Sequence, residues 1–168
     1  MRYTSCMSTR VNPIRLFVTH AWEENDDYSR VFEYLEAPGT FYYKNTSQPQ
    51  AKRPLDKESQ REDLRRQIAP CEVVVVLSSV YSAEPELLLF QMNFAKAADR
   101  PIVAMESFGS TVPLPKAIAD LADEVSAWNE RNLIDALRRQ ARHQDTTRWD
   151  TIEFKLDDEF IKEFKKDD

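Results

Sequence analysis

Two polar runs of the chain hold residue types that could act on a sugar or a nucleotide. Thr19–Trp22 supplies a hydroxyl, an imidazole and an indole, and Ser78–Glu86 supplies hydroxyls, a phenol and carboxylates. Aromatic rings stack on a base, hydroxyls hydrogen-bond a ribose, and a carboxylate stabilises positive charge that develops on a sugar. The residues expected to contact such a ligand are Phe17, Thr19, His20, Ala21, Trp22, Ser78, Ser79, Tyr81 and Glu86.

Several of these residues also have a structural interpretation. His20 could bind a phosphate or act as an acid or base, or it could be a histidine satisfied at the end of a strand. Trp22 could stack on a base or cover a helix. Glu84 and Glu86 could be acids that favour the positive end of a helix dipole. The residue types alone leave these alternatives open.

The elements that must position the two runs follow from the hydrophobic pattern. Val73–Leu77 is an unbroken branched apolar run, which is typical of a strand buried on both faces of a parallel sheet. Helical patterns flank this run, so the chain is built of βαβ units. We therefore predict a flavodoxin-like, doubly wound α/β domain with three α/β/α layers and five parallel strands in the order 2-1-3-4-5. That order places Thr19 and Ser78 at neighbouring strand ends, where such folds bind ligands.

The expected element bounds are as follows. The predicted strands are Ile14–Thr19, Thr40–Tyr43, Val73–Leu77, Pro101–Met105 and Glu124–Trp128. The predicted helices are Tyr28–Leu35, Lys57–Ile68, Glu86–Ala98, Lys116–Ala122 and one from Asn129 to about His143. A turn is expected over Tyr81–Pro85, and the polar loop Lys44–Asp56 is long enough to be functional or mobile. The inward residues expected on the third helix are Leu87, Gln91, Phe94, Ala95 and Ala98.

Length and charge limit the class of protein. A chain of 168 residues suits one domain, which we place at 14–143 between a flexible arm, 1–13, and a charged extension, 144–168. The net charge of -6 argues against nucleic acid as a partner, because phosphate backbones favour basic surfaces. No apolar run approaches the length of a membrane span, and the N-terminal residues carry no apolar signal segment. We therefore expect a soluble cytoplasmic protein with no membrane partner.

Cysteine, histidine and glycine usage excludes several common sites. Cys6 and Cys71 stand in no ligand spacing and the two histidines lie far apart, so no metal site is predicted. Gly39 and Gly109 are the only glycines, which excludes the Gly-rich phosphate loops of Walker or dinucleotide type.

Four segments of the chain carry a family resemblance. They are the opening run Arg15–Trp22, the charged helix before Val73–Leu77, the turn Ser78–Tyr81, and the passage from Asn93-Phe94-Ala95 into Arg100-Pro101-Ile102-Val103. Together they resemble the TIR-like family, and within it the branch that includes the ThsB proteins of the Thoeris anti-phage system. The resemblance covers roughly Ile14–Leu137. It implies a flavodoxin-like fold, a pocket for NAD+ and, in active members, cleavage of the bond between nicotinamide and ribose.

The resemblance also directs attention to the helix after the central strand. The catalytic Glu of the family lies on that helix, and the matching position here is Gln91, with Leu87–Phe90 where the family has a Trp. Glu84 lies on the same side of the helix as Gln91, and Glu86 is one position out of that line; both are substitute carboxylates. The candidate catalytic residues are therefore Glu84, Gln91 and His20. The structural alternative for Gln91 is an amide satisfied by backbone groups at a strand end.

These observations lead to one hypothesis and two rivals. The leading hypothesis is a TIR-like intracellular signalling protein of anti-phage defence that binds NAD+ or a related nucleotide and, in its enzymatic version, cleaves it to a signal nucleotide. NAD+ is then a substrate, and no separate cofactor is predicted. The first rival is a non-catalytic nucleotide-sensing or assembly adaptor, with Phe41–Lys44 and the following loop as an interface for a second copy or an effector protein. The second rival is a nucleoside-processing enzyme of the deoxyribosyltransferase kind, which shares this architecture.

Overall fold

The central strand of the sheet is fully buried on both faces. The computed structural model describes residues 8–143. In it β3, Val73–Leu77, has no solvent exposure along its length. The strand β1, Ile14–Val18, pairs with β3 on one side and β4, Ile102–Met105, pairs with it on the other, both in parallel. The predicted central strand is therefore confirmed.

Two short strands complete the sheet. The strand β2, Tyr43–Asn45, pairs with β1, and β5, Glu124–Ser126, pairs with β4. All neighbours are parallel and the order is β2-β1-β3-β4-β5. This confirms the predicted five-stranded, doubly wound arrangement.

Helices cover both faces of this sheet. They are α1 (Asp26–Glu36), α2 (Lys57–Ile68), α3 (Ser78–Ala83), α4 (Pro85–Ala97), α5 (Lys116–Leu121) and α6 (Glu130–Arg142). On one side α1 packs against α6, whereas α4 packs against both α2 and α5. Because crossovers between parallel strands are right-handed, these two groups lie on opposite faces and produce the predicted three layers.

Side-chain caps fix where three of the helices begin. Asn25, Asp56 and Asn129 each accept a hydrogen bond from the backbone N–H three positions further on. Pro85 stands in the first turn of α4, where its missing N–H costs nothing. The starts of α2 and α4 both lie at the carboxyl edge of the sheet, because the crossover helices run antiparallel to the strands.

The second strand begins three residues later than predicted. The run Thr40–Tyr43 resembles a strand because Phe41, Tyr42 and Tyr43 are aromatic, yet strand pairing starts only at Tyr43. Phe41 is buried in the core outside any strand, so its apolar character reflects packing and not sheet pairing. The fifth strand likewise ends at Ser126, two residues before the predicted end.

The segment after β3 is helical where a turn was predicted. The run Ser78–Ala83 forms α3, and Glu84 then leaves the helical conformation with φ -143° and ψ 80°. A residue before proline disfavours the helical conformation, and Pro85 follows. The resulting break places Glu84 between two helices at the carboxyl edge.

The inward face of α4 is turned by one position from the predicted one. Its buried residues are Leu88, Gln91, Met92 and Ala95. The prediction was right for Gln91 and Ala95 and wrong for Leu87, Phe94 and Ala98, which are only half-buried. Leu87 and Phe94 still pack against the edge of the core as partly buried side chains.

Both ends of the described region are tied to the sheet. The Tyr42 N–H donates to Ser8 Oγ at 3.1 Å, and Arg142 donates to the Pro13 carbonyl at 3.1 Å. The predicted arm lies partly, and the predicted extension 144–168 wholly, outside the described residues. Within residues 8–143 no helix combines the length and apolarity that a membrane crossing requires. Among the same residues no cluster of three or more His, Cys, Asp or Glu side chains could hold a metal ion.

A buried hydroxyl joins the ends of β1 and β3. Thr19 Oγ1 accepts the Leu77 N–H at 3.0 Å, and Thr19 has no solvent exposure. We expect Thr19→Val to lower the free energy of unfolding by about 1–3 kcal/mol, because a buried N–H loses its acceptor. Urea denaturation measures this. Thr19→Ser keeps the hydroxyl and should cost less, and a valine variant as stable as the wild type would contradict the role of this hydrogen bond.

Candidate functional site

The two predicted runs meet at the carboxyl ends of β1 and β3, but most of their polar groups are used inside the protein. The Thr19 N–H donates to the Val75 carbonyl at 3.0 Å, next to the contact with Leu77 described above. Thr19, His20 and Ser78 are all buried. These side chains therefore lie below the surface at the switch point of the sheet.

Both ring nitrogens of His20 are occupied. Its Nδ1 accepts the Trp22 N–H at 3.0 Å, and its Nε2 lies 2.8 Å from Gln67 Oε1. Because an amide oxygen only accepts, Nε2 carries the proton and the imidazole is neutral. Burial lowers the pKa of His20 below its usual value, and the hydrogen bond to Gln67 only partly opposes this. His20 thus anchors the segment around Trp22.

Gln91 holds the backbone at the end of β1 from the opposite side. Its Oε1 accepts the His20 N–H at 3.2 Å, and its Nε2 donates to the His20 carbonyl at 3.0 Å and to the Leu87 carbonyl at 3.3 Å. The side chain has no solvent exposure. An amide can both donate and accept, whereas a carboxylate cannot donate to these carbonyls. These are the contacts that the structural alternative requires.

Trp22 is fixed in an unusual backbone conformation. Its φ is 56°, in the left-handed region that bulky residues rarely adopt. The indole Nε1–H donates to Asp63 Oδ2 at 2.9 Å, and the same oxygen accepts from Gln67 Nε2 at 2.9 Å. The Arg53 guanidinium lies 5.2 Å from the centre of the indole ring. Trp22 therefore connects the end of β1 with α2 and with the loop before α2.

The remaining predicted contacts lie around α3. Asn25 Nδ2 donates to Ser79 Oγ at 3.3 Å, which ties the start of α1 to α3. Tyr81 is half-buried and packs on the core, and Ala21 is half-buried. Phe17 is fully buried, with its ring 5.6 Å from that of His20.

An open cleft lies beside these strand ends, between the starts of α2 and α4. Its volume is about 390 Å³. The residues that line it are Arg53, Lys57, Gln60, Arg61, Glu84, Pro85, Glu86, Leu87 and Phe90. Of the predicted site residues, all within the described range, this lining includes Glu84 and Glu86. The cleft therefore joins the two predicted carboxylates with residues from α2 and from the preceding loop.

Glu84 is held by a two-pronged ion pair. Arg53 donates from Nη1 to Glu84 Oε2 at 2.8 Å and from Nη2 to Oε1 at 2.6 Å. The side chains of Arg53 and Glu84 are 40% and 35% exposed. The hydrogen bonds from Arg53 hold the pKa of Glu84 below its usual value, so this group is a carboxylate at neutral pH.

The Phe90 ring, which lines the cleft, lies close to two cationic side chains of α2. The guanidinium groups of Arg61 and Arg65 lie 5.5 Å and 5.4 Å from the centre of the Phe90 ring. Arg65 pairs with acids of its own helix. Within residues 8–143, neither Lys57 nor Arg61 has an acidic group within ion-pair distance. The cleft can therefore receive an anionic ligand that also has a flat apolar part.

The cationic side of this cleft was not predicted from the sequence. Arg61 was expected only within a charged helix surface, because periodicity does not reveal which neighbour a polar face meets. Arg53 lies in the long loop that was expected to be functional or mobile, and this was the only signal for it. Phe90 reaches the cleft because α4 is turned by one position from its predicted face.

A larger cavity, of about 790 Å³, lies at the opposite, amino edge of the sheet. Its charges are mostly paired: Arg15 with Glu72 at 3.8 Å and Lys96 with Asp123 at 2.9 Å. Arg100 donates to two backbone carbonyls, although its buried Nε has no hydrogen-bond partner within residues 8–143. None of the described residues lining it is Phe, Tyr or Trp. This cavity thus suits a base less well than the cleft at the carboxyl edge.

Comparison with known proteins gives little sequence similarity. No protein-family model matches the chain, and no curated protein matches it. Among solved structures, the chain is similar to the Clostridium botulinum CMP N-glycosidase BcmB, at a TM-score of 0.45 and 13% identity. The alignment covers 73% of this chain and 97% of that chain.

Acidification should destabilise the protein through His20. Its pKa is lower in the folded state, so below about pH 6.5 the unfolded chain binds more protons. The free energy of unfolding should fall by up to about 1.4 kcal/mol per pH unit from pH 6.5 downwards. Urea denaturation between pH 7.5 and pH 5.5 measures this. His20→Gln should flatten the dependence; a slope in this variant equal to that of the wild type would contradict the assignment.

Gln91→Glu tests the amide at the end of β1. We expect a loss of about 3 kcal/mol or more in the free energy of unfolding, because a buried carboxylate would face the His20 carbonyl. Asn93→Asp makes the same amide-to-acid change at an exposed position of α4 and should have little effect. If Gln91→Glu folds as stably as the wild type and cleaves NAD+, the structural interpretation of Gln91 is wrong.

Proposed function

We propose that the chain is a nucleotide-binding domain of the TIR-like signalling type, and that NAD+ or a related nucleotide occupies the cleft between α2 and α4. The observation that supports this best is the lining of the cleft. An ionised carboxylate, two cations without an ion-pair partner among the described residues, and the aromatic side chain of Phe90 surround one open volume at the carboxyl edge. Ligands of doubly wound sheets bind at that edge.

The proposed pose follows from the chemistry of the lining. The base packs on Phe90 and Leu87, which offer the apolar surface of the cleft. The phosphates lie near Lys57 and Arg61, because these cations line the cleft and form no ion pair with an acid within residues 8–143. The ribose then faces Glu84, whose carboxylate oxygens accept hydrogen bonds from sugar hydroxyls.

The enzymatic version assigns a role to Glu84. In NAD+ the bond between the nicotinamide nitrogen and ribose C1′ breaks, and its electron pair leaves with neutral nicotinamide. Water adds at C1′ and loses a proton, which yields ADP-ribose. The Glu84 carboxylate stabilises the positive charge that develops on the ribose between these events. Glu84 is ionised at neutral pH, as this role requires.

The non-catalytic version is favoured by the position of Gln91. That residue stands where the resemblance places a catalytic Glu, and its amide is fully engaged with backbone groups. A domain that binds a nucleotide without turnover would act as a sensor for an effector protein or a second copy. Participation in anti-phage signalling in the cytoplasm is part of the proposal and is supported by the resemblance of Ile14–Leu137 alone.

Calorimetric titration with NAD+ tests the site. Phe90→Ala should weaken binding about tenfold, because stacking of one base on an aromatic ring contributes about 1–3 kcal/mol. Lys57→Gln should also weaken it. Lys116→Gln is the matched control and should bind NAD+ as the wild type does. It changes an exposed lysine of α5 that does not line the cleft. A flat titration with NAD+, ADP-ribose and nucleoside monophosphates would refute the proposed function.

Mass spectrometry of NAD+ incubated with the protein separates the two versions. Release of nicotinamide that stops in Glu84→Gln supports the enzyme. Binding with intact NAD+, at high protein concentration, supports the sensor.

A further inference from the structure

The ion pair between Arg53 and Glu84 occupies the groups that a nucleotide would need. We propose that Arg53 is a phosphate-responsive switch: a ligand phosphate takes the guanidinium from Glu84 and thereby frees that carboxylate for the ribose. The inference rests on the proposed nucleotide site and specifies how that site responds to its ligand. In this proposal Arg53 binds the phosphate directly and, by leaving Glu84, also controls whether that carboxylate is available to the ribose.

Arg53 is placed so that its side chain can exchange partners while the loop stays in place. The loop is tied independently, by Gln50 Nε2 to Glu24 Oε1 at 3.0 Å and by Gln60 Nε2 to the Pro54 carbonyl at 2.8 Å. The guanidinium itself contacts Glu84 and lies over the Trp22 ring. Its side chain is 40% exposed, so water already competes for its donors and the pair is weak enough to exchange.

Phosphate is a better partner for this guanidinium than Glu84 is. The planar fork of an arginine fits carboxylate and phosphate oxygens equally well, but a phosphate monoester carries more negative charge. Lys57 and Arg61 line the same cleft and have no acidic partner within residues 8–143. A phosphate in the cleft would gain from all three cations, whereas Glu84 pairs with Arg53 alone.

The switch predicts the class of ligand. An uncharged nucleoside leaves the ion pair between Arg53 and Glu84 intact, so its ribose meets a carboxylate that is still bound to Arg53. A nucleoside 5′-phosphate opens the pair. The cleft of about 390 Å³ is near the lower end of ligand sites, which favours a single nucleotide unit. NAD+ would then enter with one of its two nucleotide halves.

Inorganic phosphate is the decisive probe, because it has no base or ribose. Glu84→Gln should bind phosphate about threefold to fivefold more tightly than the wild type, since the competitor for Arg53 has lost its charge. Arg53→Gln should bind phosphate about tenfold more weakly. Lys116→Gln should match the wild type. Isothermal titration at constant ionic strength measures all four proteins, and their thermal melting curves verify that each is folded.

Adenosine and AMP complete the experiment. In the wild type AMP should bind more tightly than adenosine, and Arg53→Gln should remove this preference. If phosphate affinity is unchanged or lower in Glu84→Gln, the switch is wrong even when AMP and NAD+ bind. If phosphate responds as expected but neither AMP nor NAD+ binds, the proposed nucleotide function fails while the exchange at Arg53 stands.

Discussion

Complete burial of β3 is the constraint on which the rest of the structure depends. A strand with no exposed residue needs a hydrogen-bonded neighbour on each edge and a helical layer on each face. These demands produce parallel strands joined by crossover helices, so the helix starts and the polar loops gather at one edge of the sheet. The concentration of charged and aromatic side chains around the starts of α2 and α4 is a consequence of that geometry.

The buried residues at the strand ends and the exposed residues of the cleft have different roles. Below the surface, buried polar groups must find partners, and His20, Gln67 and Gln91 satisfy one another or the backbone. In the cleft, Arg53 and Glu84 are half-exposed, and their ion pair can be replaced by hydrogen bonds to water. The side chains at the strand ends are therefore held in place by buried hydrogen bonds, whereas those of the cleft can exchange partners.

The helices and strands were predicted better than the site. They depend on patterns of neighbouring residues, whereas the site depends on contacts between residues that lie far apart in the chain. The central strand and α2 were predicted with their observed bounds, since an unbroken valine run and a capped, charged helix are local signals. Glu84 and Glu86 were also found, because they follow β3 directly. Arg53 meets Glu84 across 31 residues, and no local pattern encodes such a contact. The placement of Leu87 and Phe90 at the cleft likewise depends on how α4 packs, which its mixed apolar pattern leaves open.

The left-handed backbone at Trp22 costs conformational free energy, which the contacts of its side chain have to offset. Glycine would adopt this conformation without strain, whereas an L-residue loses about 1 kcal/mol or more there. The indole offsets that loss by joining Asp63 on α2 and by lying under Arg53. The indole thus connects this strained backbone to the ion pair of the cleft. A change in the backbone at the end of β1 would therefore move Arg53, and through Arg53 alter the environment of Glu84, without direct contact between Trp22 and Glu84.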